Sequence, residues 1–489
     1  MLPFDTLISF DRKAAMPVYQ QVANGLISII REGMIKPGAR IPSSREMARL
    51  LRVHRKTIVA AYEELSAQDW IESLPRKGVS VSVNLPQLKP RSFKHVVNPL
   101  AYDGSTGHFF MNTGDTVLAD VAAKKNYRLV LTDGFPDARI APVDTLLRHY
   151  RLFFKKTYPE GAIMHGDKEG SANLRQALAA FLADTRAIHA GSSNLLITRG
   201  AQMAIFIAAG LLLKPGATVI VGEPSYTMAN MIFEHFGARL IKVAVDENGI
   251  DVDAIEKICR KKKPDLLYVI PHHHHPTTVT LSANRRMKLL DIIRNHKLPV
   301  IEDDYDYDFH YNQSPILPLA SADHNGYVLY IGSITKSFAA SVRIGYLLAG
   351  RELIAQATKQ REMIDIRGDV LMEEAMAVLF KNGEMQKHLK KSVKLYAERR
   401  DAFCNMLEKV WGNRVHFTKP AGGLSVWVQF DQKHKVAAIA RKAAAKGLYM
   451  ADGNFYNSDK IVYNSVRMGF ASLNKKELDE VAAIFKSIQ

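Results

Sequence analysis

Residues 328–345 read VLYIGSITKSFAASVRIG. Val328, Leu329, Tyr330 and Ile331 form a short apolar run rich in branched and aromatic residues, as expected of a buried strand. Directly after it, Gly332-Ser333-Ile334-Thr335-Lys336-Ser337 sets a lysine among hydroxyls, with Arg343 seven residues further on and Gly345 beyond. A lysine at the end of a buried strand loses hydration, so it must be paired or put to use as a nucleophile.

Working outward, the same kind of run recurs at Leu195–Ile197, Val219–Val221, Leu266–Ile270 and Pro299–Glu302, separated by helical stretches such as Leu174–Thr185, Met203–Leu213 and Asn284–Asn295. The alternation predicts an α/β fold on a mostly parallel sheet, whose ligands sit beyond the carboxyl ends of the strands. Two more strand ends carry chemistry. After Leu195–Thr198 come Arg199, Gly200, Ala201 and Gln202 and then an apolar helix, whose first N–H groups could hold a phosphate, a weak signal by itself. No GxGxxG follows a strand, so nothing favours a dinucleotide. After Pro299-Val300-Ile301 runs Glu302-Asp303-Asp304-Tyr305-Asp306-Tyr307-Asp308. Acid runs are most often solvated, but a carboxylate at a strand end could bind a metal, act as a base or pair with a buried cationic heterocycle.

Together these elements resemble the fold-type-I pyridoxal-phosphate enzymes, the aminotransferase group, whose lysine motif S-x-[ST]-K-x(6)-R-x-G is matched by Ser333, Thr335, Lys336, Arg343 and Gly345. The resemblance covers residues 129–489 and implies a large domain with a mostly parallel sheet plus a smaller C-terminal α+β domain. It further implies pyridoxal 5'-phosphate as cofactor, with Lys336 as the Schiff-base lysine, Asp303 against the pyridine nitrogen and Tyr305 on the ring hydroxyl. Gly200, Ala201, Gln202, Ser333 and Arg343 would hold the phosphate, and Tyr226, in EPSY, would cover the ring. Arg467, in VRMGFA, matches the arginine that grips a carboxylate by a bidentate pair.

Two segments depart from that pattern. PHHHHPTTVTLS, from Pro271, takes the place of PSHQxPTGxTxS, which puts His275 at the cofactor and Thr278 where the pattern has glycine. His165, in MHGDKEG, stands where a tyrosine reaches the neighbouring subunit's phosphate. The four histidines also raise a metal-dependent hydrolase built on them and the acidic run. Consecutive loop side chains diverge, however, and no Cys or acid stands at ligand spacing within the motif, so no metal is expected.

The N-terminal portion reads differently. In PVYQQVANGLISIIREG, from Pro17, the residues Val18, Val22, Leu26, Ile29 and Ile30 recur at helical spacing and Gly33 marks the stop. Pro37-Gly38 turns the chain, Pro42-Ser43-Ser44 supplies an N-cap for a short second helix from Arg45, and a third runs from about His54 to Ala67 with Ile58, Tyr62 and Leu65 inward. Val79, Val81 and Val83 alternate with serines, predicting a two-stranded wing with Trp70-Ile71. Between Arg40 and Lys56 the bases are Arg40, Arg45, Arg49, Arg52, Arg55 and Lys56 against the single acid Glu46. Helix, tight turn, basic helix and basic hairpin suit groove and phosphate contact. The run closely resembles the GntR-type winged helix-turn-helix, which implies DNA contacts from Arg45, His54, Arg55, Lys56, Thr57, Lys77 and Gly78.

Bulk properties agree. At 489 residues, 47% hydrophobic and 24% charged, the chain is long enough for about three folding units. Cys259 and Cys404 cannot frame disulfides or a zinc site and fit a reducing compartment. The N-terminus resembles no signal peptide, and Met203–Leu213 is too short to span a bilayer, so a cytoplasmic location is expected. The net charge of +17 favours a polyanionic partner.

The expected organisation is therefore 1–83 as the DNA-binding domain, 84–126 as a Pro-rich linker and 127–489 as the aminotransferase-like domain. That fusion describes the MocR subgroup of regulators. It implies binding to double-stranded promoter DNA, a head-to-tail homodimer, and sensing of an amine, an amino acid or pyridoxal phosphate through an aldimine at Lys336. The alternative is a working aminotransferase that carries a DNA-binding module.

Overall fold

A computed structural model describes residues 2–74, 78–85, 127–131, 133–155, 166–311, 316–457 and 461–489. The chain divides into two units, Met1–Asn112 and Thr113–Gln489. Apart from its first two residues, the linker expected over 84–126 lies outside the described residues, as do Lys77 and His165.

The first unit holds α1 (Phe4–Leu7), α2 (Val18–Arg31), α3 (Ser44–Leu50) and α4 (Arg55–Ala67). α2 follows Pro17, whose fixed φ suits a helix start, and α3 is capped by Ser43 Oγ, which accepts from Glu46 N at 3.3 Å. Val22, Leu26, Ile29 and Ile30 of α2 bury against Met47 of α3 and Ile58, Ala61 and Leu65 of α4. Tyr62 OH donates to Pro42 O at 2.7 Å and ties α4 to the turn before α3.

The wing has three strands rather than the expected two: β1 (Arg40–Ile41), β2 (Ile71–Leu74) and β3 (Gly78–Val81), antiparallel in the order β1-β3-β2. A two-residue strand has no periodicity to read, which is why β1 escapes the sequence. Val83 does not join β3. Its neighbours run out at the pairs Ile71↔Val81 and Arg40↔Ser80, and Val83 is left 70% exposed.

The second unit opens with β4 (Leu129–Val130). Its large sheet contains β5 (Leu195–Thr198), β6 (Thr218–Glu223), β7 (Arg239–Asp246), β8 (Gly249–Ile250), β9 (Leu266–Val269), β10 (Val300–Asp304), β11 (Val328–Ser333) and β12 (Gly345–Leu348). Their order is β5-β12-β11-β10-β9-β6-β7-β8. All run parallel except β12, which is antiparallel to both β11 and β5, and the edge strand β8. The expected mostly parallel sheet is present, and every strand and helix named from the sequence in this unit recurs within a few residues.

Alternate strand residues feed two cores because side chains alternate across a sheet. Leu196, Val219, Val221, Ile301 and Ile331 pack under the helix Ala201–Leu212. Ile197, Ile220, Val300 and Tyr330 face the opposite layer, with Leu178 and Leu182. A sheet covered on both faces needs apolar residues at successive positions, which is why these strands read as continuous runs.

The smaller C-terminal part carries an antiparallel sheet of β13 (Val415–His416), β14 (Ser425–Phe430) and, later in the chain, β16 (Ser465–Gly469). Helices Glu384–Trp411, Val436–Ala444 and Lys475–Lys486 accompany it. The short β15 (Leu448–Tyr449) pairs in parallel with β4, and Leu131 N donates to Tyr449 O at 2.9 Å. This contact, closed over some three hundred residues, fixes where residues 133–135 fall.

Candidate functional site

The carboxyl ends of β5, β9, β10 and β11 surround a cavity of about 230 Å³. Ala201, Gln202, Tyr226, His275, Asp303, Tyr305, Ser333, Lys336 and Arg343 line it. Ten cofactor residues were expected from the sequence, and the cavity wall brings together these nine. The tenth, Gly200, stands just behind the wall as the N-cap of Ala201–Leu212, at φ 87°.

That cap is built for close approach. A Cβ at Gly200 would lie 3.0 Å from the Arg343 guanidinium, and one at Gly345 would meet the Gly200 backbone at 2.5 Å. The terminal glycine of the lysine motif is thereby explained, since it lets β12 run directly beneath the turn. The first amides of the helix have no side-chain cap. Arg343 stands beside them, held by a bond to Arg199 O at 2.9 Å, an arrangement whose charge and donors suit an anion.

Asp303 is the penultimate residue of β10 and is 3% exposed. Oδ2 accepts from Tyr268 OH at 2.7 Å, while Oδ1 is buried without a hydrogen-bond partner. Burial pushes the carboxyl up to about 7, against the lowering effect of the Tyr268 bond. A protonated ring nitrogen is the partner such an oxygen lacks. Thr335 Oγ1, also on the cavity wall, is likewise buried without a partner. The orphaned carboxylate oxygen, the uncapped helix start with Arg343, and Lys336 together fit pyridoxal phosphate.

The rest of the acidic run is structural. Glu302 accepts from the amides of Leu319 and Ala320 at 2.7 and 2.8 Å, and burial still raises its carboxyl to about 8. Asp304 accepts from Tyr330 OH at 2.8 Å, and Asp308 pairs with buried Arg186 at 2.7 Å. Alternation along β10 and its extension thus leaves Asp303 as the acid of the run that reaches the cavity.

Lys336 Nζ donates to Gly134 O at 2.7 Å and lies 3.7 Å from the centre of the Phe135 ring. Burial lowers its pKa to about 8, with Asp133 opposing and Arg467 assisting. The lowered value raises the share of neutral, nucleophilic amine near neutrality above that of an ordinary lysine. Asp133 and Phe135 line the cavity too, and neither was found from the sequence. No motif spacing links them to Lys336; only the β4–β15 contact does.

Asp133 organises the far wall. Oδ2 meets His275 Nε2 at 2.9 Å, Oδ1 pairs with Arg467 Nε at 3.0 Å, and Tyr456 OH donates to Oδ1 at 3.4 Å. Burial alone would raise this carboxyl, but His275, Arg467 and Lys336 hold it well below the usual range. Arg467 therefore has its guanidinium engaged, by Asp133 and by a bond to Tyr305 OH at 2.9 Å, where an open carboxylate grip was expected. Tyr305 in turn donates to His273 O at 2.9 Å.

The four histidines diverge, each to its own partner. His272 Nε2 meets Ile316 O at 2.6 Å, His273 Nδ1 meets Asp306 Oδ1 at 2.9 Å, His274 Nδ1 meets Thr277 Oγ1 at 2.9 Å, and His275 meets Asp133. Burial lowers His274 to about 3 and moves His275 in the same direction, which favours neutral rings. Tyr226 stands edge-on to His275, ring centres 5.0 Å apart.

In the first unit, Arg45 lies in the first turn of α3 and is exposed, as are His54, Arg55 and Lys56 at the start of α4; Thr57 is half-buried and Gly78 exposed. His54 serves as N-cap, with Nδ1 accepting from Lys56 N at 3.2 Å. Arg40, Arg49 and Arg52 are exposed as well. The bases gathered in sequence are therefore free to meet a polyanion.

The family model of class I and II aminotransferases matches residues 164–485, and that of the gntR family of bacterial regulatory proteins matches residues 18–81. The chain is 28% identical over 483 residues to the uncharacterized HTH-type transcriptional regulator YisV of Bacillus subtilis, covering 96% of this chain and 97% of that protein. It is 23% identical over 484 residues to the probable rhizopine catabolism regulatory protein MocR of Rhizobium meliloti, covering 97% and 94%. Among solved structures it is similar to LysN, the α-aminoadipate aminotransferase of Thermus thermophilus, complexed with N-(5'-phosphopyridoxyl)-L-leucine. The TM-score is 0.69 at 24% identity, over 75% of this chain and 93% of that one, a likeness of fold.

Proposed function

The chain belongs to the class I and II aminotransferase family, and from that premise we propose that it is a transcription regulator that binds promoter DNA through residues near Arg45 and Arg55 and senses a small amine in the cavity at Lys336. The expected union of a GntR-type module with a fold-type-I aminotransferase-like domain, the MocR-type arrangement, is borne out by the comparisons. Fold and family indicate pyridoxal phosphate as the cofactor. When bound, it supplies a carbonyl that amines attack and a ring that withdraws electrons.

Around it each residue has a task. Lys336 would be the amine that holds the cofactor, Asp303 would face the ring nitrogen and favour its protonated form, and Arg343 with the amides of Ala201 and Gln202 would hold the phosphate. Phe135 and Tyr226 would supply apolar wall beside the cofactor. The observation that carries the sensor reading is Arg467: its pairing with Asp133 makes turnover of ordinary amino acids the poorer use of this cavity.

A cytoplasmic location is part of the proposal; among the described residues no helix is long and apolar enough to cross a membrane. A head-to-tail homodimer is supported by exposed apolar side chains in the second unit, among them Leu147, Leu152, Met363 and Ile366. Domain limits of 1–83, 84–126 and 127–489 complete the proposal.

The test is to compare promoter output with turnover. The effective amine should shift the cofactor's absorbance and change promoter output, with turnover far below the enzymatic range of about 1–1000 per second. Fast transamination of an amino acid that leaves every promoter unaffected would instead identify a working aminotransferase.

A further inference from the structure

Arg467 is 1% exposed in its side chain, and its guanidinium is held within the chain by one ion-pair contact and two hydrogen bonds. Nε faces Asp133 Oδ1 at 3.0 Å, one terminal nitrogen donates to Tyr305 OH at 2.9 Å, and the other donates to Pro276 O at 3.3 Å. Asp133, by contrast, keeps 42% of its side-chain exposure and lines the cavity. The cavity thus presents a carboxylate where an arginine alone would present a positive charge. The next two residues reinforce this, since Gly134 O accepts from Lys336 Nζ and the Phe135 ring lies against the same ammonium. Residues 133–135 occupy both positions that an α-amino acid would need, one for its carboxylate and one beside its amine. The segment is anchored through β4 to β15 and through Tyr456.

We propose that Asp133 sets the ligand class of this cavity, selecting a primary amine with no carboxylate on its amino carbon over the corresponding α-amino acid. The inference rests on the reading above, that the cavity receives an amine at Lys336.

Charge balance explains the selection. Arg343 is committed to the phosphate and Asp303 to the ring nitrogen, which leaves Arg467 to serve a ligand carboxylate. An α-amino acid must displace Asp133 from that arginine, adding a carboxylate to a cavity that already holds Asp133 and Asp303, where a buried charge that loses its partner is strongly disfavoured. A carboxylate-free amine leaves the Asp133–Arg467 and Asp133–His275 contacts intact. On approach its positive charge is also attracted to the Asp133 carboxylate on the cavity wall.

Calorimetric titration of the full chain loaded with pyridoxal phosphate tests this with n-butylamine and L-norvaline, which differ by one carboxylate. Wild type should bind n-butylamine more tightly by about tenfold or more, a difference of about 1.4 kcal/mol or above. Asp133→Asn, which keeps the shape and removes the charge, should narrow that ratio to a few-fold or invert it. A purely structural role for Asp133 would weaken both ligands together and leave the ratio unmoved, which would overturn the proposal. Should the variant fail to fold, the wild-type ratio decides alone: norvaline bound as tightly as n-butylamine overturns the selectivity and leaves the sensor reading standing. A chain that takes up no pyridoxal phosphate overturns both.

Discussion

The DNA-facing surface and the cavity are both sites of charge, yet they are built in opposite ways. The first gathers Arg45, Arg55 and Lys56 within a dozen residues, all exposed and with a short helix as scaffold. The second collects Asp133, Asp303 and Lys336 on a cavity wall, with Arg467 paired to Asp133, from positions up to 334 apart in sequence that β4, β10, β11 and β16 position. At the surface a charge is solvated, acts alone and can be removed at modest cost. In the cavity each charge is defined by its partner, so removal should change the identity of what binds. A surface of the first kind tunes affinity, and one of the second kind tunes chemistry.

The sharpest way to break this comparison is at Lys336. Borohydride treatment of the loaded protein should leave a pyridoxyl group on Lys336, found by peptide mass mapping, and Lys336→Ala should abolish it while DNA affinity is kept. A label on another lysine would remove the cavity from the argument.

Next comes Asp303, where two effects of opposite sign are expected. Asp303→Asn should weaken cofactor binding by about a hundredfold, since it strips a buried cation of its partner. The same change should stabilise the cofactor-free protein at alkaline pH. The folded-state carboxyl titrates at about 7, above its ordinary value of 3.8. Between those values the folded state therefore binds more protons than the unfolded one, and stability falls as pH rises through that window. Asparagine removes the loss, so the melting temperature of the variant without cofactor should exceed wild type at pH 8 and converge with it near pH 4. A variant less stable than wild type at pH 8 would mean that the carboxylate is satisfied by a partner other than the cofactor.

At the DNA surface the effects should be smaller and uniform. Arg45→Ala or Arg55→Ala should weaken operator binding by about tenfold, and if the lost contact is to phosphate, the salt slope should become shallower by about one. Cofactor absorbance should not change. Gel shifts at several salt concentrations check both numbers, and unaltered affinity in both variants would move the interface elsewhere.

The contrast also explains what could be read in advance. The helices and strands were legible because their patterns are local: the 3.6-residue period of α2 and α4, the apolar runs of β5, β6, β9, β10 and β11. Lys336, Arg343 and Gly345 were legible because one strand–turn–strand unit carries them at fixed spacing. Asp303 could be singled out within its run by resemblance, while the structure supplies the physical reason, alternation along β10. Asp133 was not legible. Its place depends on the two-residue contact between β4 and β15, too short to leave a pattern and too distant for local propensity to matter. Arg467 was recognised, but its commitment to Asp133 could not be, since a sequence names charges without naming their partners.

The smallest expected effect concerns Thr278, the residue that departs from the aminotransferase pattern of the histidine loop. It is 6% exposed and sits at φ 63°, in the left-handed region that glycine prefers. Two backbone bonds close the turn around it, from Thr278 N to His274 O at 2.6 Å and from His274 N to Val279 O at 2.8 Å. A β-branched residue pays about 1–2 kcal/mol in that conformation. Glycine would relieve it but lose about 0.5–1 kcal/mol through the greater freedom of the unfolded chain. The difference favours Thr278→Gly by at most about 1.5 kcal/mol, a rise of no more than about 3 °C in the melting temperature of the second unit. Because the His275–Asp133 contact is made by side chains on the far side of Pro276, the ratio of n-butylamine to L-norvaline binding should stay at its wild-type value. A lower melting temperature would show that the threonine side chain stabilises the loop by more than its backbone strain costs, and a changed ratio would show that the turn itself holds Asp133 in place.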